Sequence, residues 1–230
     1  MENTHIKIGS RVIPLEIKHS KRAKHISLRI SPAKNSIIMT LPRYATVTSG
    51  MKFLAGKTDW ILANVEEYKN VRIMAGITLP ILGKNYTVRR MDGRGTTKMD
   101  AQNGELIVFC APEFTSRRVK DFLKKYLREK CVRRSQALAE RIGKTVSKIT
   151  ISSARSHWGN CNSKRAISFN WLLVFSPPEI LEYIIAHEVA HLKEMNHSPR
   201  FWQVVKDLCP GMLASRKWLK EQGYKLHRYE

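Results

Sequence analysis

The sequence predicts an α+β fold, with a β-rich N-terminal half (residues 1–112) followed by a half (residues 113–230) in which helices dominate. Three observations predict it. Before residue 112, most apolar residues fall in short alternating or β-branched runs separated by turn signals. From Thr115 the period changes to that of an amphipathic helix. The composition, 43 % hydrophobic and 26 % charged over 230 residues, is that of a chain able to bury an ordinary core, which excludes collagen-like, low-complexity and wholly disordered alternatives.

In order, Arg11–Lys18, His25–Ile30 and Ile37–Leu41 read as strands, with turns at Ser31-Pro32 and Lys34-Asn35. Ser49–Tyr68 reads as a helix, with Phe53, Leu54, Ile61 and Val65 on one side and Gly56 as its weak point. A second strand set follows at Ile77–Leu82, Tyr86–Met91 and Leu106–Cys110, with turns at Gly83-Lys-Asn85 and Gly93-Arg-Gly95. Thr115–Ile142 is the clearest helix, because Val119, Phe122, Leu123, Tyr126 and Leu127 repeat at helical spacing and Gly143 closes it. Lys148–Ser153 and Ala166–Leu173 read as strands flanking a polar loop, residues 155–165. Ser176-Pro177-Pro178 signals a helix start with Ser176 as cap, and that helix is expected to reach about Lys193. Another opens at Ser198-Pro199 and ends near Cys209-Pro-Gly211, and a last one spans about Leu213–Gln222.

The charge is unusual. Forty-one Lys and Arg against nineteen Asp and Glu leave a net +22, which favours contact with polyanions. Between Arg117 and Lys144 the long helix carries eleven basic and three acidic residues, so it holds over a third of the excess and suits contact with nucleic acid or another polyanion. The N-terminus has no secretory pattern, and the longest apolar run, Trp171–Phe175, is far short of the roughly 20 residues of a membrane span. Cys110, Cys131, Cys161 and Cys209 form no Cys-x-x-Cys pair and are expected to be reduced thiols in the cytoplasm. The oligomeric state is not legible.

Within the Pro178 helix lies His187-Glu188-Val189-Ala190-His191. Residues i and i+4 share a helix face, so both imidazoles can reach one metal ion while Glu188 addresses a metal-bound water as general base. A catalytic zinc usually has three protein ligands and one open position, and His197 is the candidate third. On an unbroken helix it would stand about 15 Å further along the axis. The chain must therefore turn back before it, and Asn196 is the residue best suited to a left-handed turn. Metzincins use the same ligand spacing with a Gly where this chain has Glu194. Tyr183, one turn before His187, is a candidate donor to a developing oxyanion, with Arg155, His157 and Asn170 as alternatives. Trp158 and Trp202 read as packing residues, and Cys161 as a small apolar group.

The ordered series Trp158-Gly-x-Cys161, Ile167-Ser-Phe-Asn-Trp-x-Leu173, Pro178, Tyr183-x-x-x-His-Glu-x-x-His-Leu192 and Asn196-His-Ser-x-x-Phe-Trp202 resembles the YgjP-like metallopeptidases, relatives of the SprT and WLM proteases, over roughly residues 20–225. The resemblance implies a zincin-like minimal metallopeptidase domain built on the HExxH helix, with Zn2+ held by His187, His191 and His197, Glu188 as the base and a protein or peptide as substrate. SprT-like relatives cleave DNA-bound proteins, a setting the basic helix would suit. His157 and Asn160 depart from the family's usual Arg and Ser. UTP pyrophosphatase activity has also been assigned to members of this family, so metal-dependent nucleotide hydrolysis stays open. So does a basic nucleic-acid-binding module with a structural metal.

Overall fold

A computed structural model describes residues 2–9, 11–31, 36–67, 71–154 and 156–229. The chain forms two compact units, residues 1–71 with 227–230 and residues 72–226, so the division falls at 71/72 rather than 112/113. The second strand set thus belongs with the helices that follow it.

In the first unit, β1 (Glu2–Ile8), β2 (Arg11–Ser20), β3 (Ser27–Ser31) and β4 (Ser36–Pro42) form one sheet in the order β1-β2-β4-β3. The first strand was not anticipated. It pairs antiparallel with β2, and the register brings Ile6 opposite Ile13 and Ile8 opposite Arg11. Alternation along the strands turns Ile6, Ile8, Ile13, Leu15, Ile17, Met39 and Leu41 into one buried cluster. The expected helix 49–68 is two helices, α1 (Val47–Ala55) and α2 (Thr58–Glu67), broken at Gly56. Thr46 caps the first, its hydroxyl accepting from the Ser49 N–H at 3.2 Å. The expected turn at 32–35 and Tyr68 lie outside the described residues.

In the second unit, β5 (Thr78–Ile81), β6 (Lys84–Met91), β7 (Lys98–Asp100) and β8 (Glu105–Phe109) form a sheet in the order β5-β6-β8-β7. The long helix α3 (Thr115–Arg141) buries Val119, Leu123, Leu127, Cys131, Ser135 and Leu138 along one stripe. Gly143 follows it with φ +60-range backbone, at +65°, as expected for a helix-closing glycine. Several of the α3 cations are engaged internally. Lys120 and Lys124 lie over the Trp171 ring, Arg134 pairs with Glu182, and the Arg141 guanidinium donates to the Asp207 carbonyl.

A third sheet, ordered β10-β11-β9, is built from β9 (Lys148–Ser152), β10 (Gly159–Cys161) and β11 (Ala166–Asn170). The strand expected to run to Leu173 stops at Asn170. There the side-chain oxygen accepts from the Leu172 N–H at 2.9 Å and starts a 3₁₀ turn, Trp171–Phe175, whose residues are all buried. Helix α4 (Pro178–Ala190) follows with Pro177 as its N-cap. Ser176 does not cap it, since its hydroxyl donates to the Leu173 and Pro177 carbonyls. Helices α5 (Pro199–Leu208) and α6 (Met212–Gln222) pack against α4. Among the described residues no helix is long and apolar enough to cross a membrane.

Candidate metal centre

Helix α4 carries buried side chains on nearly every side, from Ile180 through Ala190, so the ligands it presents are held in a packed setting. His187 and His191 sit one turn apart, with ring centroids separated by 5.1 Å. The helix ends at Ala190, short of the expected Lys193. Lys193 and Glu194 both donate their N–H groups to the Ala190 carbonyl at 3.0 Å, and His191 Nδ1 lies 3.1 Å from the Glu194 carbonyl oxygen. Read as an N–H donated to that carbonyl, this bond fixes the tautomer that leaves Nε2 available.

His197 returns to the site without the left-handed residue expected at Asn196. Among the described non-glycine residues, positive φ occurs only at Leu82 and Arg165. The reversal is made instead by the turn at the end of α4 and by a 2.7 Å bond from Ser198 N–H to the Asn196 carbonyl, after which Ser198 caps α5. The Nε2 atoms of His197 and His187 end 3.1 Å apart. Ligand atoms of all three histidines lie within 4.8 Å of one another. A tetrahedral ion with metal–nitrogen bonds of about 2.0–2.1 Å spaces its ligands about 3.3–3.4 Å apart, so the cluster fits a single divalent cation. Phe201 of α5 stands at 4.5–4.9 Å between ring centroids from each of the three imidazoles and forms a common wall.

Burial favours the neutral, ligating form of His187 and His191. Burial, then the neighbouring His191, His197 and Arg216, pushes His187 down to about 3, and burial also lowers His191. His187 therefore stays neutral at physiological pH. Glu188 is 5 % exposed and forms no hydrogen bond or ion pair among the described residues. Burial alone pushes its carboxyl up to about 8.

What holds Glu188 is β10, a strand hidden within the segment expected to be only a polar loop. A Cβ on Gly159 would stand 2.5 Å from Glu188 Oε1 and 2.6 Å from its Cγ, so the carboxylate rests directly on the glycine backbone. The glycine of Trp158-Gly-x-Cys161 is thus required for close approach (its φ is not positive). Cys161, two residues on, is pushed up to about 11 by burial and by Glu188, as expected for an inert thiol.

Tyr183 is 4 % exposed and meets His187 edge-on at 6.0 Å, with burial raising its phenol so that it remains a donor. Asn170 is committed elsewhere, its amide donating to the Ala154 carbonyl at 2.6 Å while its oxygen accepts from Leu172. His157 is exposed, with Nδ1 at 2.9 Å from the Ser156 hydroxyl, and Arg155 lies outside the described residues. Trp202 stacks on His197 at 5.7 Å and carries Arg216 over its ring at 4.5 Å. Arg216 of α6 was not anticipated, because nothing in its local sequence connects it to a motif more than twenty residues away.

With the cluster assembled, the comparison with known families bears on it directly. Residues 24–222 match the family described as YgjP-like, metallopeptidase domain. The chain belongs to the YgjP-like family. No curated protein and no solved structure matches it. For this YgjP-like chain the matched span contains all three histidines, Glu188, Gly159 and Tyr183, and a metallopeptidase-domain family implies a metal ion that the three imidazoles are placed to hold.

Proposed function

We propose that the chain is a zinc-dependent peptidase in which His187, His191 and His197 hold the metal and Glu188 is the general base. The observation that carries this reading is the Glu188 carboxyl of α4, unpartnered among the described residues and buried beside the three-imidazole cluster. A structural metal site has no use for such a group, because an unpaired buried carboxyl is costly. When bound, zinc would lower the pKa of its water toward about 7 and polarise the scissile carbonyl. The cation's charge would draw the Glu188 carboxyl down from the value of about 8 that burial alone sets, so that its carboxylate could accept the water's proton on a side-chain oxygen and deliver it to the leaving amine. Tyr183 offers a phenol O–H to the developing oxyanion.

The open edge of β10 supports a peptide as substrate. This strand pairs with β11 on one side only among the described residues, and Gly159 at its start touches Glu188. An extended chain pairing with that edge would bring its backbone next to the base. The test is zinc-loaded protein incubated with an unfolded polypeptide such as casein. Cleavage is expected, and Glu188→Gln should abolish it while metal content stays at one ion per chain. Cleavage that survives Glu188→Gln refutes the mechanism. Release of pyrophosphate from UTP, with no peptide cleavage, refutes the substrate class.

A further inference from the structure

Helix α4 has a second face. Residues rotate by about 100° per position, so Pro178, Leu181 and Ile185 point away from His187 and His191. They line a separate cavity of about 620 Å³ between α4, α3 and the β5–β6 hairpin, within the size range of specific ligand clefts. Its floor is aliphatic, supplied by Ile81, Leu82, Leu181 and Ile185. Its rim is cationic, with Lys84, Lys130, Arg133 and Arg134. Glu182, the one acidic residue of the lining, is bound by Arg134, whose Nε donates to both carboxylate oxygens at 2.8 Å. Among the described residues no carboxylate pairs with Lys84, Lys130 or Arg133, so three positive charges surround an apolar depression.

We propose that this cavity docks an acidic peptide segment, with an aliphatic side chain in the depression and flanking carboxylates on Lys84, Lys130 and Arg133. Charge complementarity requires an anionic partner, and the aliphatic floor requires that partner to carry an apolar group. A nucleic acid fits less well. Single strands are gripped by open aromatic platforms, whereas Tyr126 has Phe122 stacked beside it at 6.4 Å and Lys130 over its ring at 5.3 Å, and Tyr86 is buried. A site on the far face of α4 from the histidines would recruit acidic polypeptides to the enzyme independently of the bond being cut. This goes beyond the proposed reaction and does not depend on it.

The experiment is fluorescence anisotropy with a labelled peptide alternating Glu and Leu, titrated with the full chain carrying Glu188→Gln to prevent turnover. Saturable binding is expected, weakened at least tenfold by Lys130→Glu with Arg133→Glu. It should be weakened to a similar degree by Ala137→Trp, which fills the cavity from an exposed lining position without changing charge. The control pair Lys125→Glu with Arg128→Glu makes the same charge change on exposed α3 positions outside the lining, and should shift affinity less than twofold. Absence of peptide binding overturns the proposal. So does an equal loss in the control pair, which would mean diffuse attraction. A labelled oligothymidylate that binds through Lys130 and Arg133 while the peptide does not would assign the surface to nucleic acid instead. Wild type without metal serves as a further binding sample, so loss of catalysis cannot be mistaken for loss of docking.

Discussion

Replacing Gly159 by Ala places a methyl group where the Glu188 side chain already is. The new carbon would stand 2.5, 2.6 and 2.7 Å from Oε1, Cγ and Cδ of Glu188, against about 3.5–4.0 Å for an unstrained carbon contact. The carboxylate must therefore retreat by about 1 Å, or β10 must lift off α4 by as much. Neither is easy, because Glu188 is 5 % exposed and Val189 and Ala190 beside it are fully buried. Overpacking of this kind costs about 1–3 kcal/mol of stability, and a base displaced by about 1 Å loses on the order of 100-fold in turnover. The assay has two arms. Peptide cleavage by the zinc-loaded Gly159→Ala protein should fall on that scale with metal content unchanged, since the imidazoles are not touched. Denaturant unfolding of a double-mutant cycle with Glu188→Ala then isolates the contact. Once the colliding atoms are gone, Gly159→Ala should cost less than about 0.5 kcal/mol. If Gly159→Ala costs the same in both backgrounds, the steric reasoning is wrong, whatever the activity shows.

Three further outcomes are expected. His191→Ala and His197→Ala should each weaken zinc binding by more than the roughly 10–100-fold that loss of an outer partner costs, read by calorimetry and by metal content after dialysis; full retention of metal in either would remove that residue from the ligand set. In chelator-treated protein, folded Glu188 keeps its proton up to about pH 8, while the unfolded chain releases it near 4.5. Wild type should therefore lose stability relative to Glu188→Gln as pH rises through that window, with the difference levelling off above pH 8; a difference in Tm that does not change with pH contradicts the burial argument. In the first unit, Gly50→Ala would bring a Cβ to 2.7 Å from Leu41 Cδ2 and 2.8 Å from Met39 Sδ, both in fully buried side chains. That overpacking, about 1–3 kcal/mol, should exceed the helix-propensity gain of about 1 kcal/mol. Faster hydrogen exchange across 36–54 would show it, and slower exchange would contradict it.

Much of the architecture was legible because it follows local periodicity. The run of apolar residues that predicts α3 is the stripe that α3 buries, and the weakness read at Gly56 is where α1 and α2 part. Boundaries set by hydrogen bonds between particular side chains and the backbone were not legible. The strand expected through Leu173 ends at Asn170 because its side chain captures the Leu172 N–H, a bond no apolar pattern announces. Ser176 reads as a cap from its type and position, yet its hydroxyl donates to the Leu173 carbonyl behind it. The return of His197 follows from the need for a third ligand, but the device differs from the expected Asn196 turn, since the helix end is held by the Ala190 and Glu194 carbonyls.

The sequence alone determined that His187 and His191 share one helix face with Glu188 beside them, because the period of the α-helix sets that spacing, and their neighbours are apolar enough to bury them. It also determined that over a third of an unusual charge resides in one element. Only the tertiary structure decided what those groups can do. The pKa of Glu188 depends on the removal of water by its buried surroundings, and its placement depends on a glycine of β10 from another part of the chain. Tertiary packing likewise sorted the charges of α3, laying two lysines over Trp171, tying Arg134 to Glu182, and leaving Lys130 and Arg133 at the rim of a cavity. Covalent order fixes spacing along a helix, but desolvation and charge pairing depend on which distant segments come to lie alongside it.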